Sequence, residues 1–180
     1  MDVLVRKKQN EWDLVPVVEQ KIKLWELARA RLPEDYRAFM VKYDGGRVYP
    51  LQFRPNVPQE FWQWPDNIAL LDPLFEWDYV EELYGDNYQE TVRPKNCIPI
   101  GADPSGMEVV ISLEQDTHGK LYVIHFGPGP DENEPVMRAH LIANSFREFI
   151  YEKLFETPDK FGYDYWYRPV PENLIKKVEF

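Results

Sequence analysis

Hydrophobic positions recur along the chain with two different spacings, and the change between them separates a helical front, a sheet-like middle and a helical end. Between Glu19 and Arg31, Ile22, Trp25, Ala28 or Arg29 and then Leu32 follow the spacing of one helix face, while Lys21, Lys23 and Glu26 take the wet side. A second helix is predicted directly after it. Pro33 suits a first helical position because its missing N–H is not used there, and Glu34 and Asp35 fall where the helix dipole favours negative charge. Tyr36, Phe39, Met40 and Tyr43 then form one apolar stripe, and Gly45 and Gly46 supply a left-handed stop.

Val48–Phe53 reads as a strand that Pro50 pushes towards an edge or a bulge. Residues 55–72 read as loop, with Phe61, Trp62 and Trp64 clustered among prolines. A short helix is expected over Glu76–Tyr84, ended by Gly85, since Trp77, Val80 and Leu83 or Tyr84 share a face. Cys97–Ile100 and Met107–Leu113 flank the turn-rich Gly101–Gly106 as two antiparallel strands, and Leu121–Phe126 makes a third. Gly127-Pro-Gly-Pro130 leads into an acidic loop at Asp131, Glu132 and Glu134. A last helix starts at Ser145, with Glu148 completing a capping box and Phe146, Phe149, Ile150, Lys153 and Leu154 on its buried face. Past Pro158, Phe161, Tyr163, Tyr165, Trp166 and Tyr167 crowd together. Helices followed by strands without crossover helices predict an α+β fold: a single domain over 1–180 with a central, mostly antiparallel sheet flanked by helices. Its core is expected over about residues 19–156, with an aromatic extension over 157–180.

Composition narrows the chemistry. With 31 acidic against 21 basic residues the formal net charge is −10, so direct binding to nucleic acid is disfavoured and a basic partner is the better match. Cys97 is the only cysteine, which excludes an intrachain disulfide and a thiolate metal cluster and points to the cytoplasm. No stretch approaches the roughly 20 apolar residues of a membrane span, and Val3, Leu4 and Val5 give way at once to Arg6, Lys7 and Lys8, so neither a membrane segment nor a signal peptide is expected. Cys97 opens an apolar strand and reads as a small buried hydrophobe rather than a nucleophile. His118, His125 and His140 lack the spacing of a metal site, no G-x-S-x-G elbow is present, and Gly127–Pro130 lacks the Lys-Ser or Lys-Thr of a phosphate loop. No catalytic residue, metal or cofactor is therefore assigned.

The informative feature is where the charge lies. Residues 55–92 hold nine acids and no Lys or Arg, whereas the rest of the chain holds 22 acids against 21 bases. Aromatic anchors in a one-sign field suit protein recognition. The candidate contacts are Glu76, Asp78, Glu81, Glu82 and Asp86 for steering, with Trp62, Trp64 and Trp77 as anchors where they reach the surface. The plainer alternative is that the rings fill the core while the acids keep the exterior hydrated.

The string from Leu32-Pro33-Glu34-Asp35-Tyr36 through Phe39-Met40 to Tyr43-Asp44-Gly45-Gly46 resembles the signature of the SUKH superfamily. Ile98–Gly101, the Asp103–Gly106 turn, the strands Glu108–Leu113 and Leu121–Phe126 and the start Ser145–Phe149 follow in that family's order, from about Leu24 to Leu154. The resemblance implies an α+β domain that works by binding. Its bacterial members are typically immunity proteins that neutralise toxins, often nucleases, and its fungal members are regulatory adaptors in cell-wall synthesis. It implies no shared catalytic residues, and its motifs, here Leu32, Pro33, Tyr36, Phe39, Gly45, Gly46, Gly101 and Gly106, act as fold determinants. The leading expectation is a cytoplasmic immunity protein that occludes a basic toxin domain, with a nuclease as the candidate class. The competing one is a regulatory adaptor or a small-ligand or peptide-binding module, and the oligomeric state stays open.

Overall fold

The first helix of the chain, α1, spans Gln9–Ala28 in a computed structural model that describes residues 2–58, 67–85, 96–127, 136–156 and 171–180. It begins ten residues before the expected start at Glu19 and carries Pro16 inside it. Trp12, Val18, Ile22 and Trp25 form its buried face. The second helix, α2 (Glu34–Tyr43), starts one position after Pro33 and buries Tyr36, Phe39, Met40 and Tyr43, the predicted stripe. Its left-handed end begins at Asp44 (φ 52°), one residue earlier than the two glycines.

Among the described residues all the strands pair antiparallel. β1 (Leu4–Arg6) lies between β2 (Arg47–Tyr49) and β9 (Ile175–Lys177), so the two ends of the chain meet in one sheet. The strand expected over Val48–Phe53 is broken at Pro50 into β2 and β3 (Gln52–Phe53), and these join different sheets. β3 pairs with β4 (Ala69–Leu70), a short strand inside the stretch expected to be loop. The main sheet runs in chain order through β5 (Cys97–Ala102), β6 (Glu108–Ser112), β7 (Leu121–Gly127) and β8 (Val136–Ala143). β5 is its edge strand and so tolerates Pro99. Between β4 and β5 lies α3 (Trp77–Gly85).

One face of the main sheet sends Ile98, Ile100, Val109, Ile111, Leu121 and Val123 into the large core with both front helices, and the other covers a small cluster of Cys97, Val110 and Ile124. The large core reaches from Val3 to Val178, beyond the expected span of 19–156 at both ends. Ser145 caps the last helix as expected, its hydroxyl accepting from the Glu148 N–H at 3.0 Å. The Glu148 carboxylate turns instead to Asn144, accepting from its backbone and side-chain N–H groups at 2.9 and 3.0 Å, so the capping box is not reciprocal. This helix is a single α-turn, α4 (Phe146–Glu148), that widens into a π-helical stretch over Phe149–Lys153.

The glycines of the signature explain how α3 is placed. Segment 71–76 passes between Gly46 and Gly101: Gly46 and Leu74 exchange backbone hydrogen bonds of 2.9 and 3.0 Å, and the Phe75 N–H donates to the Ile100 carbonyl at 2.9 Å. A Cβ on Gly45 would fall on the Phe75 carbonyl, and one on Gly101 would meet the Pro73 oxygen at 2.9 Å. Both positions therefore hold glycine to let that segment come close.

Candidate functional site

α3 inherits its position from that close approach and from one carboxylate. Asp44, at the left-handed end of α2, accepts from the Trp77 N–H at 2.7 Å, and the Glu76 carbonyl accepts from Tyr79 and Val80 at 3.1 and 3.0 Å. Lys7, on the chain just past β1, donates its ammonium to the Asp44 carbonyl at 2.6 Å, lying 3.6 Å from the Asp44 carboxylate and 3.2 Å from that of Glu76. Burial holds the Asp44 carboxyl above its ordinary pKa, against the opposing pull of the Trp77 N–H and of Lys7. Lys7 and Asp44 thus tie the chain's first strand, the end of α2 and the start of α3 to one point. No local pattern marks this pair, because its members stand 37 residues apart.

The two faces of α3 have different fates. Trp77 is 0% exposed and sets its ring edge-on to Trp25 of α1, the centroids 5.6 Å apart, and Val80 is buried beside it. Tyr84 also meets Trp25, at 5.2 Å, with the Arg29 guanidinium over its ring. The other face carries Asp78, Glu81 and Glu82 into solvent, with Tyr79 46% exposed and edge-on to Phe75. Lys21 of α1 holds both Asp78 oxygens at 2.6 and 2.8 Å, and this hydrogen bonding raises the Lys21 pKa.

These placements sort the expected contacts. Glu81 and Glu82 point outward, Asp78 is exposed but shared with Lys21, and half-buried Glu76 turns towards Lys7. Trp77 is corrected: it belongs to the core and offers no surface to a partner, because it lies on the apolar face that the helix buries. Tyr79, which the sequence reading did not single out as a contact, is the exposed ring on this helix, and its position two residues from Trp77 was the available signal. Trp62, Trp64 and Asp86 lie outside the described residues, as do the acids of the 131–134 loop and the rings at 161–167.

Beside α3 opens a cleft of about 460 Å³ lined by Arg6, Lys7, Lys8, Glu11, Arg47, Glu76 and Tyr79 among others. Its charges are largely matched from within: Lys8 lies 3.7 Å from Glu11, Arg47 3.1 Å from Asp72, and Lys7 is committed to Asp44 and Glu76. Such a cleft offers a seam between elements rather than an unbalanced field for a charged ligand. Cys97 is buried, and that burial pushes its thiol pKa up to about 11, far from a reactive thiolate. Among the described residues no group of three or more His, Cys, Asp or Glu is placed to hold a metal ion, and no helix is long and apolar enough to cross a membrane.

The sequence profile of the SMI1 / KNR4 family (SUKH-1) matches residues 17–152. Among curated proteins the chain is similar to the SPbeta prophage-derived uncharacterized protein YokK of Bacillus subtilis (strain 168), 26% identical over 144 residues that cover 70% of this chain and 68% of that relative. No solved structure shows a significant match to it.

Proposed function

The chain belongs to the SMI1 / KNR4 family (SUKH-1), and on that premise we propose that it is a non-catalytic binding protein of the cytoplasm, an immunity protein that neutralises a basic toxin domain. The observation that carries this reading is the one-sided charge of residues 55–92, nine acids and no base, together with the outward placement of Asp78, Glu81 and Glu82 beside the exposed ring of Tyr79. A nuclease fits as the partner class, because an enzyme built to attract phosphates presents the complementary field. The prophage origin of the similar Bacillus subtilis protein favours a toxin-linked role over a regulatory one. A regulatory module with a ligand groove would draw on the cleft beside α3, whose cations are already engaged.

The test is co-expression of the chain with the product of the adjacent gene. Growth inhibition by that product, relieved by the chain and accompanied by a complex that survives purification, is the expected result. A neighbour that is equally toxic with and without the chain, or no complex, would remove the immunity reading.

A further inference from the structure

Seven large hydrophobic side chains are exposed among the described residues, and four of them, Leu14, Val17, Leu24 and Leu27, lie on α1. Leu27 is 85% exposed and Leu24 62%. Helical geometry gathers these four with Gln20 and Lys21 into a strip about 20 Å long. The strip faces away from Glu19 and Glu26, which meet Arg37 of α2. Its order reads alike from either end: Leu14 answers Leu27, Val17 answers Leu24, and Gln20 answers Lys21. A strip with that symmetry is complementary to itself when a second copy lies antiparallel across a two-fold axis between Gln20 and Lys21.

We propose that α1 is a dimerisation helix, two copies of this chain pairing antiparallel through Leu14, Val17, Leu24 and Leu27. Charge complementarity agrees with that occupant. Antiparallel packing opposes the two helix dipoles. At the axis each copy contributes one cation and one anion, the Lys21–Asp78 pair, so the centre of the seam meets without unbalanced charge. Glu81 and Glu82 lie on α3 outside the strip, and Asp78, held by Lys21 at its edge, is the one acid shared with the toxin-binding reading.

Sedimentation equilibrium of the intact chain tests it. The chain sediments as a dimer in reversible equilibrium, and Leu24→Asp raises the dissociation constant at least about tenfold, since every dimer contains that residue twice. Leu141→Asp, on an equally apolar exposed side chain of β8, leaves it unchanged. Far-UV circular dichroism verifies that each variant is folded. A chain that stays monomeric up to about millimolar concentration, or a dimer indifferent to Leu24→Asp, overturns the proposal. So does a monomer whose Leu24→Asp variant loses the co-encoded toxin, because the strip would then belong to that partner.

Discussion

His125 and His140 stand diagonally on β7 and β8, their ring centroids 5.2 Å apart, with Arg138 opposite His125 in the register. Burial is the main cause that lowers both pKa values. A backbone hydrogen bond with Arg138 opposes this at His125, the His125 ring lowers His140 further, and the Arg138 charge lowers both. In the unfolded chain imidazoles titrate near about 6.5. Above that value both states hold neutral rings, and the pair adds no pH dependence. As the pH falls below it, the unfolded chain binds protons that the folded chain resists, so stability declines towards the lowered folded values. The urea midpoint should therefore be lower at about pH 5.5 than at about pH 7.5, and His125→Gln with His140→Gln should narrow that difference. An equally steep dependence in the double variant would show that other groups carry it. Single residues were unevenly legible. Cys97 was readable as a buried hydrophobe because it opens an apolar run, and Trp77 was readable too, since its helical spacing with Val80 already put it on the face that folding buries. Naming it an anchor set that periodicity aside.

Elements were legible where the signal is local and dense. α2 carries its stripe and its stop within a dozen residues, and β5 and β6 flank a turn-rich segment. β8 escaped because its exposed positions, Ala139 and Leu141, are apolar, which erases the alternation that marks a half-buried strand. β1 and β9 are three residues each and pair across almost the whole chain, so no window contains the reason for either. Pro16 obscured the first half of α1 in the same way that Pro50 made one expected strand two. The placement of α3 is likewise non-local, and Asp44 tests it. Asp44→Ala removes the acceptor for the Trp77 N–H, leaves the buried Lys7 ammonium one carboxylate short, and puts a Cβ without a polar side chain at φ 52°. A loss of about 2–4 kcal/mol is expected in urea unfolding. Asp44→Asn keeps an acceptor oxygen and a residue that tolerates the left-handed region, so it should lose clearly less. Equal losses in the two variants would mean that the clamp owes nothing to the hydrogen bond.

At the scale of the molecule, the fold class followed from the order of helices and strands, and the charge asymmetry from counting alone. Which acids face outward needed the structure, because adjacent carboxylates on a helix point to different sides and only packing decides which side is wet. On α3 that decision leaves Asp78, Glu81 and Glu82 exposed while Glu76 turns towards Lys7. Exposed charge of one sign acts chiefly on encounter, through a field that reaches about a Debye length and fades with salt. Replacing Asp78, Glu81 and Glu82 together by Lys should therefore slow association with a basic partner several-fold at low ionic strength and flatten its salt dependence. Dissociation should change less, except through the lost Lys21–Asp78 contact, which is solvent-exposed and contributes little to stability. Stopped-flow mixing across a salt series separates the two rates. Glu19→Lys with Glu152→Lys supplies the control, removing acids from α1 and from the last helical stretch rather than from α3. If the control slowed association as much as the triple variant, the attraction would come from the overall net charge of −10 and α3 would have no special part in it.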